Sequence, residues 1–320
     1  MAGVTADSPL MLRVRGISRV GSIARIVLER PDGDALPVLD AGTHLDVVTP
    51  SGIVRQYSLV TTLGPPDAWL IVVDRAPASR GGSSSLFDDL APGDRVRVVG
   101  VRNLFPLRSG WRYIFLAGGV GITPIAAMIG ELEARGVTAW KLLYGARDRS
   151  AMPFADELTE YGADRVELWP QDERGIPDLR AFVGEPDPGA LVYCCGPEGM
   201  IRAAEIATSD WPAGSFRTER FSATPLLPGH EEMPFDVEIA STGRVLRVHA
   251  DESILEVVRR VGIRVPSSCQ EGTCGTCETG VLAGIPAHRD SILDAEERAL
   301  NEVMFICVSR AKTPSLRLEL

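Results

Sequence analysis

No apolar run in the 320 residues approaches the length of a membrane-spanning helix, and no basic segment followed by an apolar core opens the sequence. The chain is therefore expected to be cytoplasmic. Positive charge is in deficit: 33 Lys and Arg face 43 Asp and Glu, a formal net charge of -10. Nucleic acid and anionic membranes, which select basic patches, are excluded as expected partners. There are only 4 histidines, His44, His230, His249 and His288, and no two have ligand spacing. Internal repeats and low-complexity tracts are also missing. What remains, 45% apolar and 24% charged residues, describes a globular protein, and its length suggests two or three domains.

Cysteine is present in an arrangement that needs a reason. Six cysteines in a large chain expected in the reducing cytosol, with length enough for real cores, do not read as a disulfide framework. Cys194 and Cys195 adjoin in a strand-like run, which leaves Cys269, Cys274, Cys277 and Cys307. Structural zinc favours two C-x2-C knuckles, and this set contains one such pair. The spacing C-x4-C-x2-C followed by a distant fourth cysteine is instead the plant-type pattern of a 2Fe-2S cluster. Between the thiols, Gly272 and Gly275 permit a tight curl with amides turned inward, and Thr273 and Thr276 are small enough for close approach.

The flanking pattern agrees. FDVEIA and RVLRVHA read as a hairpin, SILEVVRRVG as a short helix opening at Ser253, DAEERAL as another helix, and FICVSR as a strand bearing Cys307. This order resembles a plant-type ferredoxin, an α+β β-grasp domain, over residues 234–320. The resemblance implies that Cys269 and Cys274 bind one iron, Cys277 and Cys307 the other.

A ferredoxin requires an electron source. VRQYSLV alternates as a strand and presents Arg55, Tyr57 and Ser58; SRGGSSSLFDDL combines Gly81 and Gly82 with serines before a helix expected at LFDDL, where amides would converge on an anion. Together these stretches resemble the antiparallel flavin-binding barrel of the ferredoxin reductase superfamily, with its R-x-Y-S motif. That resemblance implies Tyr57 against the flavin ring, Arg55, Gly81, Gly82 and Ser83 at its phosphate, and Gln56, Ser58 and Val73 in the same cofactor-binding set. No adenine platform is visible, so FMN is preferred to FAD.

The stretch WRYIFLAGGVGITPIAAMIGELEARG runs from an apolar strand through Gly118, Gly119 and Gly121 into a helix opening at Thr123 with Pro124 in its first turn. Strand, glycine turn and helix form a pyrophosphate cradle, although the spacing is not G-x-G-x-x-G. Further strands in AWKLLYGARDRS and ALVYCCGPEGMI continue the alternation of a parallel α/β sheet. Cys195, Gly196 and Pro197 match the superfamily's C-G-P motif, which implies that Cys195 borders the nicotinamide; Cys194 reads as core. Asp148 could accept the adenosine ribose hydroxyls of NADH, whereas Arg147 and Arg149 could pair with the extra phosphate of NADPH. The residues leave that choice open; relatives with this domain order usually take NADH.

After the third motif, Phe221 matches an aromatic that closes on the flavin in related reductases, and residues 222–233 read as a linker. The order of an FMN barrel (1–110), a nucleotide domain (111–221), the linker and a ferredoxin (234–320) closely resembles the phthalate dioxygenase reductase family, which includes vanillate demethylase reductases. NLFPL, residues 103–107, resembles that family's stretch before the nucleotide domain. The resemblance implies an NADH-dependent reductase with Ser58, Thr123 and Cys195 at the reacting edge of flavin and nicotinamide. Its acceptor would be a separate terminal oxygenase, a Rieske-type aromatic hydroxylase or demethylase, with Glu271 and Glu278 as contacts for a basic partner. A haem-thiolate monooxygenase as acceptor and a non-catalytic redox sensor or zinc-bearing module are the alternatives.

Overall fold

The computed structural model describes residues 9–75, 81–221 and 233–320. The first part of the chain forms six strands, β1 (Leu10–Val20), β2 (Ile23–Glu29), β3 (Thr43–Val48), β4 (Val54–Val60), β5 (Trp69–Asp74) and β6 (Arg95–Asn103). They are antiparallel in the order β1-β2-β5-β4-β3-β6, and pairing of β1 with β6 from Leu10↔Val98 to Arg13↔Arg95 closes a barrel. Closure leaves no sheet edge to aggregate. Period-two alternation sends Leu12, Leu28, Leu45, Leu59 and Ile71 to the interior, where they are sealed from water. A buried polar tie crosses three strands: Asp46 accepts a hydrogen bond from Gln56 Nε2 at 2.7 Å and pairs with Arg102.

Helix α1 (Gly82–Asp88) follows the fifth strand. The sequence places a helix from LFDDL onward, after a glycine-serine loop; in the structure GSSSLFD is itself helical. Gly81 takes the left-handed N-cap position at φ 97°, so the turn into the helix comes four residues sooner than the apolar pattern suggests.

The nucleotide-domain segment alternates strands with helices, two of them between its third and fourth strands: β7 (Arg112–Gly118), α2 (Ile122–Ala134), β8 (Trp140–Ala146), α3 (Ala155–Thr159), β9 (Val166–Pro170), α4 (Gln171–Arg174), α5 (Leu179–Val183), β10 (Ala190–Cys195), α6 (Glu198–Ala207) and β11 (Phe216–Glu219). All strands are parallel, in the order β11-β10-β7-β8-β9. Strand order reverses between β7 and β10, and the crevice at that switch point is where open α/β sheets bind ligands. Helix α2 is buried on nearly every side because one face covers the sheet and the other meets the barrel. Ile125 and Ile129 share a core with Val60, Leu70 and Val72, and a Cβ on Gly130 would overlap Thr62. Residues up to Glu219 thus form one compact unit, and Arg220–Leu320 a second.

The second unit carries β12 (Phe235–Ile239), β13 (Val245–Val248), α7 (Ile254–Arg260), β14 (Glu278–Ala283), β15 (Pro286–Ala287), α8 (Ala295–Leu300), β16 (Val303–Phe305), β17 (Arg310–Ala311) and β18 (Ser315–Leu318). Its main sheet runs β13-β12-β18-β14-β16, with β12 and β18 parallel. Helix α7 starts at Ser253 through a capping box with Glu256, and α8 through one between Asp294 and Glu297. Ile254, Leu255, Val257 and Val258 bury one side of α7 in the core of this sheet. The FICVSR strand is shorter than its sequence pattern. β16 stops at Phe305 and Cys307 lies in the turn that follows, where Ser309 N donates to Phe305 O at 2.9 Å.

Candidate functional site

The four cysteines come together as two pairs. Cys269, Cys274, Cys277 and Cys307 are all buried, with between 1% and 9% exposure, and none forms a disulfide. Gln270, Gly272 and Gly275 take positive φ of 55°, 72° and 72°, which curls the loop so that its amides face sulfur. Glu271 N and Thr273 N donate to Cys269 Sγ at 3.3 and 3.4 Å, and Cys269 N donates to Cys274 Sγ at 3.4 Å. Glycine is required at 272 on a second ground: a Cβ there would stand 2.7 Å from Val308 Cγ2 and 2.9 Å from Asp290 Cα.

Within each pair the thiols share a proton unequally. The hydrogen bond from Cys274 brings Cys269 down to about 5 and drives Cys274 upward. Cys277 is lowered by Cys307 in the same manner, while Cys307 rises, and the Cys269 charge acts on both members of that second pair. Four buried sulfurs, two already disposed to ionise and surrounded by inward amides, fit an iron-sulfur cluster, whose ligands are thiolates.

A second constellation joins the barrel to the switch point of the sheet. Ser58 lies on β4, its Oγ buried without a partner in hydrogen-bond geometry. Cys195 ends β10, fully buried, opposite Glu219 at the end of β11. Glu219 Oε2 is also buried and meets no donor. Desolvation pushes its carboxyl up to about 8, opposed in part by the nearby Ser58 hydroxyl. Burial, then the Glu219 charge, raises the Cys195 thiol, so it stays protonated. Orphaned polar atoms of this kind call for a polar ligand. Sequence reasoning missed Glu219; the one available signal was an acid in the short strand just before Phe221.

The other candidates divide. Arg55 lies over Gly82, whose added Cβ would meet Arg55 Cγ at 2.9 Å, so these two are brought together with Gly81 and Ser83 at the start of α1. Residues 79 and 80 of that segment lie outside the described residues. Tyr57 is half-buried against the barrel core, and desolvation raises its hydroxyl despite Arg55. Gln56 Nε2 donates to Asp46, and the Val73 side chain points into the barrel core with no exposure. Thr123 is buried in the first turn of α2 and donates to Val120 O at 2.9 Å, which leaves only its acceptor capacity for a ligand.

Gly118, Gly121 and Gly196 answer to backbone packing between two loops. A Cβ on Gly121 would overlap the Cys195 carbonyl, one on Gly118 would meet Pro197 and Met200, and one on Gly196 would come within 3.0 Å of Gly118. Gly119 turns at φ 55° with open space around it. Pro124 is buried within α2. Asp148 caps the turn after β8, accepting from Ser150 N at 2.9 Å and Ala151 N at 3.2 Å, and these bonds with that of the Ser150 hydroxyl lower its pKa. Phe221, the second residue of the second unit, is 47% exposed. The linker 222–233 lies outside the described residues except for Met233.

Comparison with known proteins agrees with this geometry. Residues 115–205 match the oxidoreductase NAD-binding domain, and residues 237–312 match the 2Fe-2S iron-sulfur cluster binding domain. Phthalate dioxygenase reductase of Burkholderia cepacia is 37% identical over 98% of both chains. The chain belongs to the phthalate dioxygenase reductase family. A solved phthalate dioxygenase reductase, described as a modular structure for electron transfer from pyridine nucleotides to [2Fe-2S], superimposes with a TM-score of 0.71 at 36% identity over 98% of each chain. An intact type IV self-sufficient cytochrome P450 monooxygenase gives a TM-score of 0.88 at 37% identity; the match covers 98% of this chain and 41% of that longer one. This family member is an NADH-dependent flavin iron-sulfur oxidoreductase.

Proposed function

We propose that this reductase binds FMN in the barrel and passes electrons from NADH through the flavin and the 2Fe-2S cluster to a separate Rieske-type aromatic oxygenase or demethylase. The observation that carries the reading is the end-to-end match to phthalate dioxygenase reductase, which leaves no segment of either chain without a counterpart beyond a few residues. The proposed division is flavin domain 1–110, nucleotide domain 111–221, linker 222–233 and ferredoxin 234–320.

NADH gives up two electrons as a hydride while a 2Fe-2S cluster accepts one, and FMN supplies the chemistry that joins those steps. The protein's part is orientation and electrostatics. Arg55 with Gly81, Gly82 and Ser83 holds the flavin phosphate, and Tyr57 covers the ring. Ser58 and Glu219 offer buried polar atoms at the reacting edge, where the proton on Glu219 below about pH 8 makes its carboxyl a donor. Cys195, neutral and buried, borders the nicotinamide without adding charge. Gly119, Gly121 and the start of α2 receive the pyrophosphate, and Asp148 takes the ribose. Cys269, Cys274, Cys277 and Cys307 ligate the cluster.

The test is reconstitution: purified protein, NADH and a purified Rieske-type aromatic oxygenase should give hydroxylated or demethylated product in step with NADH oxidation. Product formed by this chain and NADH without any oxygenase would overturn the assignment. The likeness to the P450 fusion favours a second reading, in which a haem-thiolate monooxygenase is the acceptor. Turnover with such a partner, and none with any Rieske oxygenase, would select it.

A further inference from the structure

We infer that Glu173 on α4 enforces preference for NADH over NADPH by holding the Arg149 guanidinium away from the nucleotide's 2′ position. The inference rests on the reading that the adenosine ribose lies at the end of β8. A 2′-phosphate placed there would be a dianion, and its natural partners are arginines presenting planar donors. The loop after β8 offers Arg147 and Arg149 on either side of Asp148, so the sequence by itself reads as equally suited to either nucleotide.

Tertiary structure breaks the tie. Arg149 Nε and Nη2 grip Glu173 Oε1 and Oε2 at 2.7 and 3.2 Å, a two-pronged bond that uses the donors a phosphate would need. Helix α4 is docked on the same loop, because Asp172 N donates to Arg147 O at 3.0 Å. Arg174 is committed as well: it pairs with Glu167 at 2.9 Å and stacks 3.6 Å over the Trp169 ring. Two of the three arginines of this loop and helix are thus spent on carboxylates, while Asp148 and Asp172 add negative charge. Ser150 N, Ser150 Oγ and Ala151 N all bond Asp148 Oδ1, so Oδ2 is left to accept from a ribose hydroxyl and would repel a phosphate as a like charge.

The Arg149–Glu173 pair has side-chain exposures of 62% and 47%, a setting in which an ion pair adds little to stability. Its effect is on selection, since it removes a cation from one ligand and nothing from the other. Glu173 touches neither ligand in this account; it is a positioning residue acting through Arg149.

Three variants of the full-length protein test this: Glu173→Gln, Asp172→Asn, and Glu173→Gln combined with Arg149→Ala. The first measurement is the ratio of kcat/KM for NADPH to that for NADH with ferricyanide as acceptor. The second is the affinity ratio of 2′,5′-ADP to 5′-AMP by calorimetry, which needs no turnover. Glu173→Gln should raise both ratios about five- to tenfold, Asp172→Asn at most about twofold, and the double variant should return toward wild type. An unchanged ratio in Glu173→Gln overturns the inference, as does an equal gain in Asp172→Asn or in the double variant, because charge alone would then suffice. A wild type that prefers NADPH also overturns it. Failure of the wild type to oxidise either nucleotide would instead strike the functional reading, and the calorimetric ratio would still decide the role of Glu173.

Discussion

A carboxyl group buried with little beyond a serine hydroxyl to meet it declares its own pH dependence. Glu219, raised to about 8 by desolvation from 4.5, binds a proton in the folded protein across a window in which the unfolded chain has lost it. Its protonated form leaves the fold intact below about pH 4.5; the penalty grows as pH rises and is complete above about 8. The flavin-free protein should therefore lose on the order of 5 kcal/mol of stability across that window, and Glu219→Gln should flatten the loss. Urea midpoints at pH 5, 7 and 9 check this, and equal slopes in both proteins would contradict it. Gly272 carries a different constraint. Gly272→Ala combines positive φ with contact at 2.7 Å on Val308, so it should reduce cluster content severalfold, read as iron per chain and visible absorbance, while flavin content stays unchanged.

At the scale of elements, the second unit is held at its entry by one buried cation. Arg310 opens β17 with 6% exposure, and its guanidinium donates to the carbonyls of Glu252 at 2.7 Å, Met233 at 3.2 Å and His249 at 3.0 Å, lying 5.0 Å from the Phe235 ring centre. Replacing it with methionine keeps much of the bulk but takes the donor from three partly buried carbonyl contacts. Arg310→Met should cost this unit on the order of 3 kcal/mol, seen as cluster bleaching at lower urea concentration with flavin release unaffected. The start of α7 at Ser253 and a helix at DAEERAL were legible in sequence, because a helix cap is a contact between residues three apart. Arg310 was not, because its three partners lie 58 to 77 residues away.

Across the whole molecule the two compact units imply separable chemistry. Cys274→Ser should leave ferricyanide reduction by the flavin half within about twofold while abolishing NADH-driven cytochrome c reduction through the cluster. Equal loss of both activities with FMN still bound would refute the modular account. Glu278 is exposed beside the cluster loop, and the chain carries a net charge of -10. Steering toward a basic partner should then make coupled turnover fall several-fold between low and physiological salt, with ferricyanide reduction little changed. No helix among the described residues is long and apolar enough to cross a membrane.

Sequence alone determined the cluster and the order of the three folding patterns, for a physical reason: thiol spacing, glycine turns and strand-helix alternation are local quantities, settled within a few residues of one another. What each side chain faces was decided only by tertiary structure, since adjacent residues of a strand point to opposite faces and the choice belongs to the neighbouring elements. Hence Gln56 turned to Asp46 and Val73 to the barrel core, and Cys307 moved from strand to turn. Glu219 became part of a site only where β11 lies against β10, with Ser58 of the barrel close by. Arg149 lost its claim on a phosphate only because α4 folds back to meet it, 24 residues along the chain.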